Sequence, residues 1–170
     1  NFALDVGITY IDPALIAGLS SMEIYDETLS LLVPESSEWA SQGTITWEDA
    51  AQLPLCLLGE HMHERRIIDD AFNEVGCKPP VVVTTADSIL NLIFHVMFAG
   101  LVTVVPSHFA RLPGQLPGTK AIKLVKPEIS QNVGLVWSSS EPIMPMAKHM
   151  VSIVKDFRAS GELERELGDP

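Results

Sequence analysis

The region from Ile89 to Pro106 is the longest apolar run in the chain, and few architectures accommodate it. Asn91, His95, Gly100 and Thr103 interrupt it. A membrane span tolerates such groups poorly, because hydrocarbon offers them no partners. The run resolves better into a helix from Ser88 to Ala99, a stop at Gly100, and a strand from Leu101 to Val105 closed by Pro106. The helix is apolar on nearly every side, so burial all round is expected of it.

Other elements surround this pair. Leu4 to Tyr10 alternates like a strand, and Asp12-Pro13 starts a turn or short helix. Thr28 to Val33 reads as a second strand ended by Pro34. Thr46 caps a short helix over Trp47 to Ala51, and Leu53 to Leu58 is a third strand closed by Gly59. His61 to Val75 has helical spacing, with Ile67, Ile68, Ala71, Phe72 and Val75 on one face and Gly76 at the end. Val81 to Thr85 is a strand, after which Thr85 or Asp87 caps the apolar helix. Ala121 to Val125 and Val133 to Ser138 are the last strands. A final helix opens at Ser140-Glu141-Pro142, and Ile143, Ala147, Met150, Val154 and Phe157 form its inner stripe. Strands separated by helices, with β-branched runs, predict an α/β protein with mainly parallel sheets.

Composition removes several function classes. The 170 residues are 46% hydrophobic and 19% charged, a balance that suits a folded chain. The net charge of −11 repels a phosphate backbone, so this chain should not grip nucleic acid by itself. Two cysteines make no disulfide framework. Cys56 reads as a buried small hydrophobe and Cys77 follows a helix end, which points to a reducing cytoplasm. The N-terminus has no basic region leading into an apolar stretch, so no signal peptide is visible.

Catalytic and metal motifs are also missing. His61, His63 and Glu64 invite a metal reading, but His61 and His63 stand two apart on a helix and point to different sides. No HExxH or CxxC accompanies them, and neither GxSxG, GxGxxG nor a P-loop occurs. Asp69 and Asp70 lie on a charged helix face. Neither enzyme chemistry, metal nor cofactor is expected.

Four stretches in order resemble the effector-binding domain of LysR-type transcriptional regulators. They are Leu4 to Thr9, Leu29 to Glu35, Trp47 to Leu58, and Ser88 to Pro106. Leu55 to Leu58 followed by Arg65-Arg66-Ile67-Ile68-Asp69 is similar to a LysR subgroup encoded beside formate dehydrogenases. The resemblance implies two lobes of the type-two periplasmic-binding-protein kind, joined by two crossings. Lobe one takes residues 1–58 and 124–170, and lobe two 59–123. It implies an upstream winged helix-turn-helix, through which alone DNA would be met, and an absent strand, helix and strand before Asn1. It implies a homodimer or tetramer, to which the face of Ile67, Ile68 and Phe72 would contribute unless it is plain core. A solute-binding protein of a transporter shares the fold, as does a prephenate dehydratase-like enzyme domain.

In open α/β sheets, ligands collect beyond the carboxyl ends of strands. Those ends here are Thr9-Tyr10, Gly59-Glu60-His61-Met62, Thr85-Ala86-Asp87-Ser88 and Pro106-Ser107-His108. Two of them open helices, whose unpaired amides and dipole favour a carboxylate or similar anion. Thr9, Thr85 and Ser88 add hydroxyl donors, His61 can donate, and Arg65 can supply charge. By position, the resemblance carries over Thr9, His61, Met62, Ser88 and Pro106 as effector contacts. The full candidate set is Thr9, Tyr10, Glu60, His61, Met62, Arg65, Thr85, Asp87, Ser88, Pro106 and Ser107. The effector is a small anion held between the lobes, formate among the possibilities. Plainer readings compete. Thr85 and Ser88 also suit helix caps, Thr9 an ordinary strand hydroxyl, Arg65 a solvated face and His61 the surface. Asp87 suits the cap itself and would oppose an anion.

Overall fold

The computed structural model describes residues 4–14, 16–76, 80–111, 116–140 and 142–161. Cys77 and the tail beyond Gly161 lie outside the described residues. In chain order the elements are β1 (Val6–Tyr10), β2 (Leu19–Pro34), β3 (Thr44–Thr46), α1 (Trp47–Ala50), β4 (Leu55–Leu58), α2 (His63–Glu74), β5 (Val82–Ala86), α3 (Ile89–Ala99), β6 (Thr103–Pro106), β7 (Thr119–Val125), β8 (Ser130–Ser138) and α4 (Pro145–Ser160). Short 3₁₀ turns occupy Glu38–Ser41 and Ser107–Arg111.

The chain forms two compact units, Asn1–Glu27 with Ser130–Pro170, and Thr28–Ile129. The sequence alone puts the borders at 58/59 and 123/124. The compact units instead group β3, α1, β4 and β7 together in the second unit. There β7 hydrogen-bonds β2 and β3, and β4 hydrogen-bonds β5.

In the second unit β4 and β5 run parallel. Leu55 bridges Val102 in parallel, and the Cys56 amide donates to the Val102 carbonyl at 2.8 Å, which joins β4 to the approach of β6. β6 and β7 each pair antiparallel with β2, and β3 runs parallel to β7. The sheets are therefore mixed, not mainly parallel. Strand β2 arrives against the direction of its neighbours, and in the first unit β1 pairs antiparallel with β8.

Burial on both faces explains the continuous apolar runs. Side chains alternate across a strand. Leu31, Val33, Leu55, Leu57 and Val104 enter one core with Trp47, Ile68 and Phe72. Leu32, Cys56, Leu58 and Val105 enter a second core with Leu92, Ile93 and Val96. Helix α2 thus covers one face and α3 the other. Trp47 meets the edge of Phe72 with ring centroids 5.1 Å apart, and its Nε1 donates to the Pro127 carbonyl. Ile68 and Phe72 are core residues, which removes them from any pairing surface.

Helix α3 departs from its expected burial all round. Leu92, Ile93 and Val96 are sealed, but Leu90 is 62%, Phe94 50% and Phe98 78% exposed. The helix packs against one layer only, so its outer face is left open. Its end is as expected, with Gly100 left-handed at φ 68° and its amide on the His95 carbonyl.

In the first unit β1 and β8 pair from Val6↔Trp137 to Tyr10↔Val133. Gly134 is required there, because a Cβ would fall 2.6 Å from the Met22 carbonyl oxygen and closer still to Ile11. Strand β2 begins nine residues earlier than the expected Thr28, at Leu19. Helix α4 takes Pro145, not Pro142, as its opening proline, since residues 142–144 remain extended or bent. Ala147 and Val154 are buried, Ile143 precedes the helix, and Phe157 is exposed.

Leu57 has no exposed surface. Leu57→Ala should lower unfolding free energy by about 2–5 kcal/mol in urea denaturation, with an unchanged slope.

Candidate functional site

The carboxyl ends of β4, β5 and β6 converge in the second unit. Leu58 is paired with Ala86, and the Gly59 amide donates to the Ala86 carbonyl at 3.1 Å, so the β4–α2 and β5–α3 loops lie side by side. The Met62 amide closes a turn onto the Gly59 carbonyl. A Cβ on Gly59 would meet His61 Cε1 at 2.8 Å and Asp87 Oδ1 at 3.0 Å. The imidazole and the carboxylate therefore flank bare backbone, with His61 Nε2 3.9 Å from Asp87 Oδ1. Both side chains are exposed, which limits any attraction between them.

Two helices start at this rim. The N-cap positions are Met62 for α2 and Ser88 for α3, both extended, and neither side chain caps its helix. The expected caps, Thr85 and Asp87, sit elsewhere: Thr85 is a β5 residue opposite Leu57, and Asp87 precedes the cap position. First-turn amides that the N-cap side chain does not take are of the kind that favours an anion. Glu60 is exposed, and Met62 packs against the core beneath α3.

Arg65 turns the other way. It is 7% exposed, Nε donates to Asp69 Oδ1 at 2.9 Å, and Nη1 donates to the Leu58 carbonyl at 2.9 Å. The guanidinium ties α2 to the end of β4, with Asp69 as its i, i+4 partner.

At the end of β6, Pro106 is buried and Ser107 is half-buried. Thr28 Oγ1 donates to Ser107 Oγ at 3.0 Å, and Ser30 Oγ lies 2.8 Å from the same atom. Sequence reasoning missed the contact of Thr28 and Ser30 with Ser107. Their spacing of two on one strand was the available signal.

Thr9 and Tyr10 belong to the first unit. Thr9 is half-buried opposite Gly134. The Tyr10 hydroxyl donates to Glu27 Oε2 at 2.6 Å, and the Tyr25 hydroxyl donates to Glu27 Oε1 at 3.2 Å. Glu27 is 5% exposed. Burial first, then the Glu27 charge and hydrogen bond, push the Tyr25 phenol up to about 12. Cys56 is sealed in β4, its Sγ 3.4 Å from the Val102 carbonyl oxygen, and burial raises its thiol to about 11. An open groove of 470 Å³ lined by Glu35, Ser37, Glu38 and Lys120 lies toward the other end of β2 and includes none of the expected residues. Among the described residues no three His, Cys, Asp or Glu side chains could hold a metal, and no helix is long and apolar enough to cross a membrane.

A family described as the LysR substrate binding domain matches residues 1–159. The chain belongs to that family. As a LysR domain it is similar to a probable hydrogen peroxide-inducible genes activator of Mycobacterium avium, 27% identical over 138 residues, covering 81% of this chain and 44% of that protein. It thus spans less than half of that relative's length. The fold matches the effector-binding domain of QuiR in complex with shikimate, with TM-score 0.74, 16% identity, and coverage of 92% of this chain and 72% of that chain. It also matches full-length CbnR complexed with its target DNA, with TM-score 0.74, 18% identity, and coverage of 90% and 50%. The LysR match does not favour the transporter reading.

The two raised pKa values set an alkaline limit. Tyr25 and Cys56 are neutral in the folded state above the pH at which the unfolded chain ionises. Their stabilisation is full below about pH 9, where neither unfolded group has ionised, and is lost as pH rises toward 12. Urea midpoints should fall across that window, and Tyr25→Phe should flatten its upper part. A midpoint that is level from pH 9 to 12 would contradict this assignment.

Proposed function

We propose that this chain is the sensing part of a LysR-type transcriptional regulator, not an enzyme, and that a small anion is its effector. The observation that carries the reading is the pair of helix starts, Met62 and Ser88, side by side at the ends of parallel strands with no side chain capping either. Such amides and the helix dipoles attract a carboxylate. In this reading Ser88 and His61 add donors, and the exposed Asp87 and Glu60 carboxylates restrict which anions are accepted. The shikimate complex of QuiR supports a small organic acid as the ligand class. Formate is one such acid, supported by the similarity of Leu55 to Leu58 and Arg65 to Asp69 to the subgroup encoded beside formate dehydrogenases. Bound effector shifts a conformational equilibrium only by its differential affinity for the two states.

Contact with DNA is assigned to a preceding domain, because this chain carries −11. The DNA complex of CbnR supports that division, and it fits a cytoplasmic regulator. Self-association is assigned to a second copy meeting the outer face of α3. That face is an uncharged stripe of Leu90, Phe94 and Phe98 on an acidic chain, with the two phenyl rings stacked 6.1 Å apart. A peroxide-sensing reading through Cys56 is opposed by its burial and raised thiol pKa.

Calorimetric titration of the full-length protein with small carboxylates, formate included, tests the site. Binding should occur, and Ser88→Ala should weaken it about 3- to 30-fold, the range of one lost hydrogen bond. A folded protein that binds none of them overturns the anion reading. Separately, Phe98→Glu should shift the protein toward monomer in sedimentation velocity at unchanged helicity.

A further inference from the structure

We propose that Thr28 and Ser30 set the hydroxyl of Ser107 as an outward-facing donor to the anionic effector, a proposal that rests on the strand-end site described above. Strands β2 and β6 are antiparallel with Leu29 opposite Pro106 and Ser30 opposite Val105. Thr28 and Ser30 point to one side of β2, and Ser107 follows directly where β6 ends. The result is two hydroxyls around the Ser107 oxygen, with Thr28 donating to Ser107 Oγ at 3.0 Å and Ser30 at 2.8 Å from it.

A proton count decides the direction of the second bond. Each hydroxyl has one proton and two acceptor lone pairs. Thr28 spends its proton on Ser107. Between Ser30 and Ser107 one proton is shared and the other leaves the cluster. Ser30 is 6% exposed, whereas Ser107 is half-buried. A proton directed away from the cluster is better met at Ser107, where solvent or ligand can accept it, than inside the sheet. Ser30 therefore donates to Ser107, which accepts twice and presents its own proton outward. Accepting two bonds polarises that O–H and strengthens what it can donate. A carboxylate or other oxyanion suits such a donor, and a cation does not. Thr28 and Ser30 are positioning residues in this arrangement, since they act through Ser107.

The donor geometry can be read without any ligand. In a Cys77→Ser background, the thiol introduced by Ser107→Cys should have a pKa about one unit below the ordinary 8.5, roughly tenfold more thiolate at neutral pH, because two hydroxyls donate to the sulfur. Adding Thr28→Val and Ser30→Ala should return it to the ordinary value, and Thr28→Ser should keep it low. A thiol that starts at the ordinary value, or ignores these changes, overturns the proposal. With Ser107 in place, Thr28→Val should weaken formate binding about tenfold while Thr28→Ser restores it, at equal thermal midpoints. A lowered thiol pKa with formate affinity unchanged by Thr28→Val overturns the effector role and leaves the strand-end site standing. If the unmodified protein binds no carboxylate, the strand-end reading fails, and the effector role of Ser107 falls with it.

Discussion

The enclosure of β4 is the constraint on which the second unit depends. Leu55, Cys56, Leu57 and Leu58 are all 2% exposed or less, and their side chains enter two different cores. On one edge the strand bonds to β5, and on the other it reaches the approach to β6. A strand so held has no freedom to slip by one residue, because a slip would exchange the two cores. Its end therefore fixes where Gly59 lies, and through Gly59 the starts of α2 and α3. Arg65 secures the same point by returning from α2 to the last β4 carbonyl.

Polar groups are placed with similar economy. Glu27 is nearly sealed, yet both carboxylate oxygens receive tyrosine hydroxyls. One residue later on β2, Thr28 begins the hydroxyl cluster with Ser107 and Ser30. These side chains are consecutive in sequence but belong to different units. A buried acid stays tolerable only when its oxygens are satisfied, and the same holds for Ser30 within the sheet.

Much of the fold was legible because its signals are local. The glycine stop at Gly100, the threonine cap at Thr46 and the four-residue run of β4 each carry their own chemistry. The mixed pairing was not, since strand direction depends on partners distant in sequence. The front half of β2 was missed because Leu19 to Glu27 mixes polar and apolar residues, and only Glu27 among them is buried. The outer face of α3 misled for the opposite reason, as an apolar helix face reads as core whether or not anything covers it. At the site, the strand-end positions followed from general α/β rules. The inward turn of Arg65 and the convergence of Thr28 on Ser107, 79 residues away, needed the tertiary structure.

Strand β5 forms an edge of the two-stranded sheet in the second unit. Among the described residues β5 pairs only with β4, and Val81 and Val83 are largely exposed beside it. A valine-rich strand with one row of amides unpaired is a template for further strands. If the domain is handled in isolation at high concentration, this is the place where chains would begin to stack into fibrils, and a charged residue at position 83 is the change that would protect the preparation.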